Sequence, residues 1–140
     1  MLLIFNEEKV EYMVVGAYAL AVHGLPRATG DIDLWIKISN ENAEKVWRSL
    51  IKFGVPFINL NKEDLKTPGI VFQVGIAPRR IDILTSIDGV DYIEAENEML
   101  KVNVDNLIIP IIGKKHLILN KKTVGRPKDQ ADVSWLEKSE

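Results

Sequence analysis

The sequence predicts an α/β (α+β) fold: a mixed β-sheet of about four to six strands, with helices mainly on one face. Three observations carry this. Short apolar or alternating runs of strand length recur from residue 10 onward. One strongly amphipathic helical stretch lies among them. Gly and Pro interrupt the chain at short intervals, with no internal repeat or low-complexity tract.

Val10 to Val15 reads as a strand that ends at Gly16, and Ala17 to His23 as a helix stopped by Gly24 and Pro26. Leu25 to Gly30 is a loop. Asp31 to Ile38 alternates carboxylates with apolar residues and is a strand. Ser39 or Asn40 caps the next helix. There Ala43, Val46, Trp47, Leu50 and Ile51 follow the spacing of one buried stripe, and Gly54 ends it. Residues 61–68 form a helical turn. Ile70 to Gly75 and Arg80 to Ser86 read as a hairpin, and Met99 to Val104 and Leu107 to Ile112 as further strands. Gly113 to Lys122 and Pro127 to Lys138 are helical, the second opened by proline with Asp129 in its first turn.

The composition narrows the function. The chain has 140 residues, 46% hydrophobic and 27% charged, which suits one domain over residues 1–140. With a net charge of −2, a general basic coat for nucleic acid is not expected. Cysteine is absent, which excludes thiol catalysis, disulfides and cysteine-ligated metals. His23 and His116 lie far apart in sequence, against a His-rich metal site. The apolar start, Met1 to Phe5, is too short for a signal sequence, and no run approaches a membrane span. The expected placement is the cytoplasm, with no membrane partner.

The chemistry is concentrated in Asp31-Ile-Asp33-Leu. On a strand, Asp31 and Asp33 share one face while Ile32 and Leu34 take the other. Adjacent carboxylates repel unless a cation lies between them, and Mg²⁺ prefers such hard oxygen ligands together with substrate phosphates. Arg80-Ile-Asp82-Ile repeats the pattern. If the two strands are neighbours, Asp82 joins Asp31 and Asp33, and three carboxylates suit two metal ions about 3.5–4 Å apart. Upstream, Gly16 joins a strand to a helix, a junction whose amides can meet phosphate oxygens.

These residues resemble the nucleotidyltransferase superfamily of DNA polymerase beta type. Val15-Gly16-Ala17 is followed by thirteen residues and then by Asp31-Ile-Asp33-Leu, and Asp82 matches the third carboxylate. Val14 to Gly24, Arg27 to Asp33 and the tail Asn120 to Asp132 are similar to a small stand-alone branch, that of AbiEii-type toxins and minimal nucleotidyltransferases of toxin–antitoxin modules. The resemblance covers about residues 10 to 136. It implies the nucleotidyltransferase fold and transfer of a nucleoside monophosphate from an NTP to a hydroxyl acceptor, with pyrophosphate released. The acceptor would be RNA such as tRNA, a partner protein or a small molecule. Asp31, Asp33 and Asp82 would be catalytic and would hold Mg²⁺ or Mn²⁺. The amides of Gly16 and Ala17 would hold the phosphates, and Lys121 and Arg126 of the tail would contribute to the site. Ala17 departs from the Gly or Ser of the wider superfamily, so no hydroxyl reaches the phosphates there. That departure favours the alternative of a catalytically weak binding partner in a toxin–antitoxin pair.

Other residues are weighed on their own chemistry. Arg27 could grip a phosphate through two hydrogen bonds, and Thr29 could bind a phosphate or orient Asp31. Lys128 and Asp132 are spaced as a surface ion pair. His23 reads as a structural histidine bonding loop backbone, Trp47 and Trp135 as packing residues, and Tyr18 as packing rather than a base-stacking ring. Either Arg79 or Arg80 could pair with a nearby acid.

Overall fold

The computed structural model describes residues 1–25, 30–56, 59–76 and 80–138. Among them, six strands form one mixed sheet: β1 (Tyr12–Val15), β2 (Ile32–Ile36), β3 (Val71–Val74), β4 (Ile81–Leu84), β5 (Leu100–Val104) and β6 (Leu107–Ile111). Their spatial order is β3-β4-β2-β1-β6-β5. The β1–β2, β3–β4 and β5–β6 pairs are antiparallel; β2–β4 and β1–β6 are parallel. The central strands are the most apolar. Met13, Leu34, Ile36 and Ile83 are fully or almost fully buried, as strands covered on both sides require.

Among the described residues, six helices accompany the sheet: α1 (Leu2–Glu7), α2 (Gly16–Val22), α3 (Asn40–Phe53), α4 (Tyr92–Glu96), α5 (Lys114–Val124) and α6 (Pro127–Lys138). α3 starts where Ser39 Oγ accepts the Asn42 amide at 3.0 Å and ends at Gly54, whose φ of +89° suits a residue with no Cβ. Its buried stripe is centred on Val46 and differs from the one expected. Ile51, five residues on, lies about 140° around the helix at the usual turn per residue and is exposed. Trp47 sits at the margin, half-buried against the core, with Lys62 over its ring. Asn42 and Ser49 take the buried positions instead. Asn42 can do so because its amide is satisfied: it accepts the Glu11 N–H at 2.8 Å and donates to the carbonyls of Glu11 and Lys37.

The polar stretch at 61–68 contains a 3-10 turn over Lys62–Lys66, held by a capping box between Asn61 and Asp64. Two helices carry too few periodic residues to be expected from sequence. α1 is held by Phe5, fully buried and edge-on to Tyr12. α4 is held by Tyr92 against Trp35, with Asp91 as its cap. Both are one-turn segments whose helicity comes from tertiary packing. Among the described residues, no helix is long and apolar enough to cross a membrane.

Candidate active site

The site grows from strand register. β1, β2 and β4 lie side by side, and Val15, Asp33 and Asp82 are aligned across them. Parallel pairing of β2 with β4 sets Asp33 beside Asp82, as the Asp-hydrophobic repeats on the two strands require. Asp31 stands just before β2. The Ile32 N–H donates to the Arg80 carbonyl at 3.0 Å, which ties the two strand entrances together. The three carboxylates are thus brought to one end of neighbouring strands.

Gly16 is the other half of this corner. It opens α2 directly after β1 with φ +71°, in the left-handed region. A Cβ built there would collide with Asp33 Oδ2. Glycine is therefore required twice, by its backbone angle and by the closeness of the carboxylate. Ala17 follows it in the first turn of α2.

Burial first, then the charge and hydrogen bond of Asp82, then the charge of Asp31 push the Asp33 carboxyl up to about 6. Arg80 acts in the opposite direction. Its guanidinium grips Asp82 in a two-pronged pair, Nε to Oδ1 at 2.7 Å and Nη2 to Oδ2 at 3.1 Å. It also reaches Asp31 Oδ2 at 3.4 Å, while the Arg80 backbone N–H donates to Asp31 Oδ1 at 3.3 Å. Arg80 thus pairs with the acids, as one of the two hairpin arginines was expected to. An Arg-x-Asp spacing on a strand sets both side chains on one face, a signal already present in the sequence. Gln73 on β3 pairs with Asp82 and extends the aligned row; nothing in its local sequence marks it.

Among the described residues, no group of three or more His, Cys, Asp or Glu side chains forms a metal cage by itself. The donor set nonetheless fits Mg²⁺. That ion commonly uses one or two carboxylates and fills its octahedron with water and substrate phosphates. Asp33 and Asp82, set side by side on parallel strands, are such a pair.

The remaining candidates fall elsewhere. Arg27 and Thr29 lie outside the described residues, as does Arg79. Lys121 is buried at the junction of α5 and α6, with Nζ 3.1 Å from Asp132 Oδ2 and 3.5 Å from Asp129 Oδ1. Arg126 Nε binds Asp129 Oδ2 at 2.7 Å and holds that carboxyl below the usual carboxylate range. Asp129 and Asp132 are thus interior acids, and the cation on Asp132 is Lys121 in place of the expected surface Lys128. The interior wins because α6 turns both acids toward α5. His23 is structural: its Nε2 meets the Ile112 carbonyl beyond β6 at 2.8 Å, while residues 26–29 of the loop it was expected to bond lie outside the described residues. Trp135 packs against the core, close to Gly24. Tyr18 is 41% exposed and flanks an apolar groove with Val22, Ile32, Ile109 and Ile111.

Comparison with solved structures identifies the architecture. The chain is similar to a candidate nucleotidyltransferase from Thermotoga maritima, with TM-score 0.63 and 19% identity, over 97% of this chain and 88% of that one. It is similar to the lincosamide antibiotic adenylyltransferase LnuA, solved with lincomycin bound, with TM-score 0.59 and 17% identity, over 97% and 91%. A third match is an antigenic nucleotidyltransferase-like protein from Paracoccidioides brasiliensis, with TM-score 0.55 and 14% identity, over 94% and 69%. The fold is therefore that of nucleotidyltransferases. No family model matches the sequence, and no curated protein matches it.

Proposed function

We propose that the chain, as one domain over residues 1–140, is a Mg²⁺-dependent nucleotidyltransferase. It would move a nucleoside monophosphate from an NTP to a hydroxyl acceptor and release pyrophosphate. The observation that carries this reading is the alignment of Asp33 with Asp82 beside Gly16, within a fold shared with nucleotidyltransferases.

Asp31, Asp33 and Asp82 would hold Mg²⁺ (or Mn²⁺), which when bound neutralises phosphate charge and lowers the pKa of an attacking hydroxyl. Asp82 would also help to deprotonate the acceptor hydroxyl. The amides of Gly16 and Ala17, at the β1–α2 junction beside Asp33, would hold the triphosphate, and backbone donors serve phosphate without a side-chain hydroxyl. Arg27 and Thr29, which precede Asp31 in the sequence, are proposed as phosphate contacts. Lys121 and Arg126 are proposed as contributors through the α5–α6 junction. The resemblance of LnuA makes a small hydroxyl compound one acceptor class to screen beside RNA and protein hydroxyls.

The test is calorimetric titration of the four NTPs with Mg²⁺, beside an Asp31→Asn/Asp33→Asn double variant. Binding that requires both the metal and the aspartates is the expected result. A folded wild type that binds none of the four refutes an autonomous enzyme. It would favour the second reading, a catalytically weak nucleotidyltransferase-like partner in a toxin–antitoxin module. Ala17, which offers phosphate no hydroxyl, is the observation on that side.

A further inference from the structure

We infer that Arg80 is a resident counter-ion that keeps a lone divalent metal out of the carboxylate site and yields when a triphosphate arrives. This inference rests on the nucleotidyltransferase reading above and adds an order of events to it.

The oxygens a metal would need are already engaged. Arg80 occupies both oxygens of Asp82 and reaches one of Asp31, and its own backbone N–H takes the other Asp31 oxygen. The guanidinium is rigid, permanently charged and only about one third exposed (30%), so it is a placed cation and not a mobile surface one. A metal entering alone must break the two-pronged Asp82 pair and meet a positive charge at close range. A triphosphate changes that balance. Its oxygens offer the guanidinium an equivalent fork, since bidentate arginine pairs with phosphate as readily as with carboxylate. Asp82 and Asp31 are then released to the metal that travels with the nucleotide. Metal and nucleotide binding become coupled through one side chain, and linkage requires the coupling to act in both directions.

The geometry also explains why an arginine stands two residues before Asp82. Without the metal, Asp33 and Asp82 crowd each other, and Arg80 opposes the repulsion. The same contacts that make the empty corner tolerable make it unreceptive to a bare ion.

The experiment compares wild type, Arg80→Gln and Arg80→Lys, each checked for folding by circular dichroism. Mn²⁺ alone is titrated by electron paramagnetic resonance. Preformed Mn²⁺ complexes of α,β-methylene analogues of the four nucleoside triphosphates are titrated by calorimetry. Wild type should bind free Mn²⁺ weakly and one nucleotide complex much more tightly. Arg80→Gln should bind free Mn²⁺ on the order of tenfold more tightly than wild type, yet bind the nucleotide complex no better, so that the coupling collapses. Arg80→Lys, which keeps the charge but loses the fork, should fall between them and covers the case in which the glutamine variant does not fold. Equal free-Mn²⁺ affinity in wild type and variants overturns the inference. So does an equal gain for free ion and nucleotide complex, which would mark a general charge effect. Either outcome leaves the enzyme reading standing. Absence of binding to any probe by every folded protein overturns both.

Discussion

At Asp33, one carboxylate is held where the fold makes ionisation costly. Its pKa rises from 3.8 to about 6 through burial and the neighbouring acids. The folded state therefore holds this proton more tightly than the unfolded chain does. Stability attributable to Asp33 is present below about pH 4 and is lost as the pH climbs through 6. Asp33→Asn should consequently be more stable than wild type at pH 7.5 in EDTA, by about 1–2 kcal/mol once solvent screening is allowed for. At pH 4 the two proteins should converge, and Mg²⁺ with nucleotide should stabilise only the wild type. Urea unfolding at the two pH values measures this; a variant less stable than wild type at pH 7.5 contradicts it.

At the scale of elements, the α5–α6 pair is joined by a buried ionic cluster. Lys121 faces Asp129 and Asp132, both almost fully buried, while Arg126 covers Asp129 from the solvent side. The sequence marked these residues as a basic cluster next to two acids. What it could not reveal is which cation turns inward, because that depends on how α6 folds back after Gly125. Lys121→Met should cost about 3–5 kcal/mol, since it strips buried carboxylates of their partner. Arg126→Ala should cost far less, because its guanidinium is exposed and Lys121 still faces Asp129. Similar losses for the two substitutions, measured by denaturant unfolding, would contradict this division.

At the scale of the whole molecule, the candidate site joins segments distant in the chain: the β1–α2 corner, the start of β2 and the start of β4. A ligand that bridges them should raise the unfolding free energy of the entire fold. Saturation at a hundred times the dissociation constant corresponds to about 2.7 kcal/mol. Thermal unfolding with Mg²⁺ and the preferred NTP should show that increment, and the Asp31→Asn/Asp33→Asn variant should not. A rise of the same size in both proteins would place nucleotide binding away from these carboxylates.

Local patterns determined most of the secondary structure and named the candidate carboxylates. Ser39, Gly54, the alternation around Asp33 and Asp82, and the proline opening α6 act over a few residues, so their consequences are legible in order along the chain. The tertiary structure decided everything that depends on apposition. It alone set Asp33 in register with Asp82, made Gly16 obligatory by packing it on a carboxylate, and gave Arg80 two acids to hold. It also gave the buried side of α3 to Asn42 instead of Ile51 and folded α1 and α4 around Phe5 and Tyr92. The reason is common to these cases. A side chain's period shows which face it takes, but what meets that face comes from strands and helices far away in sequence.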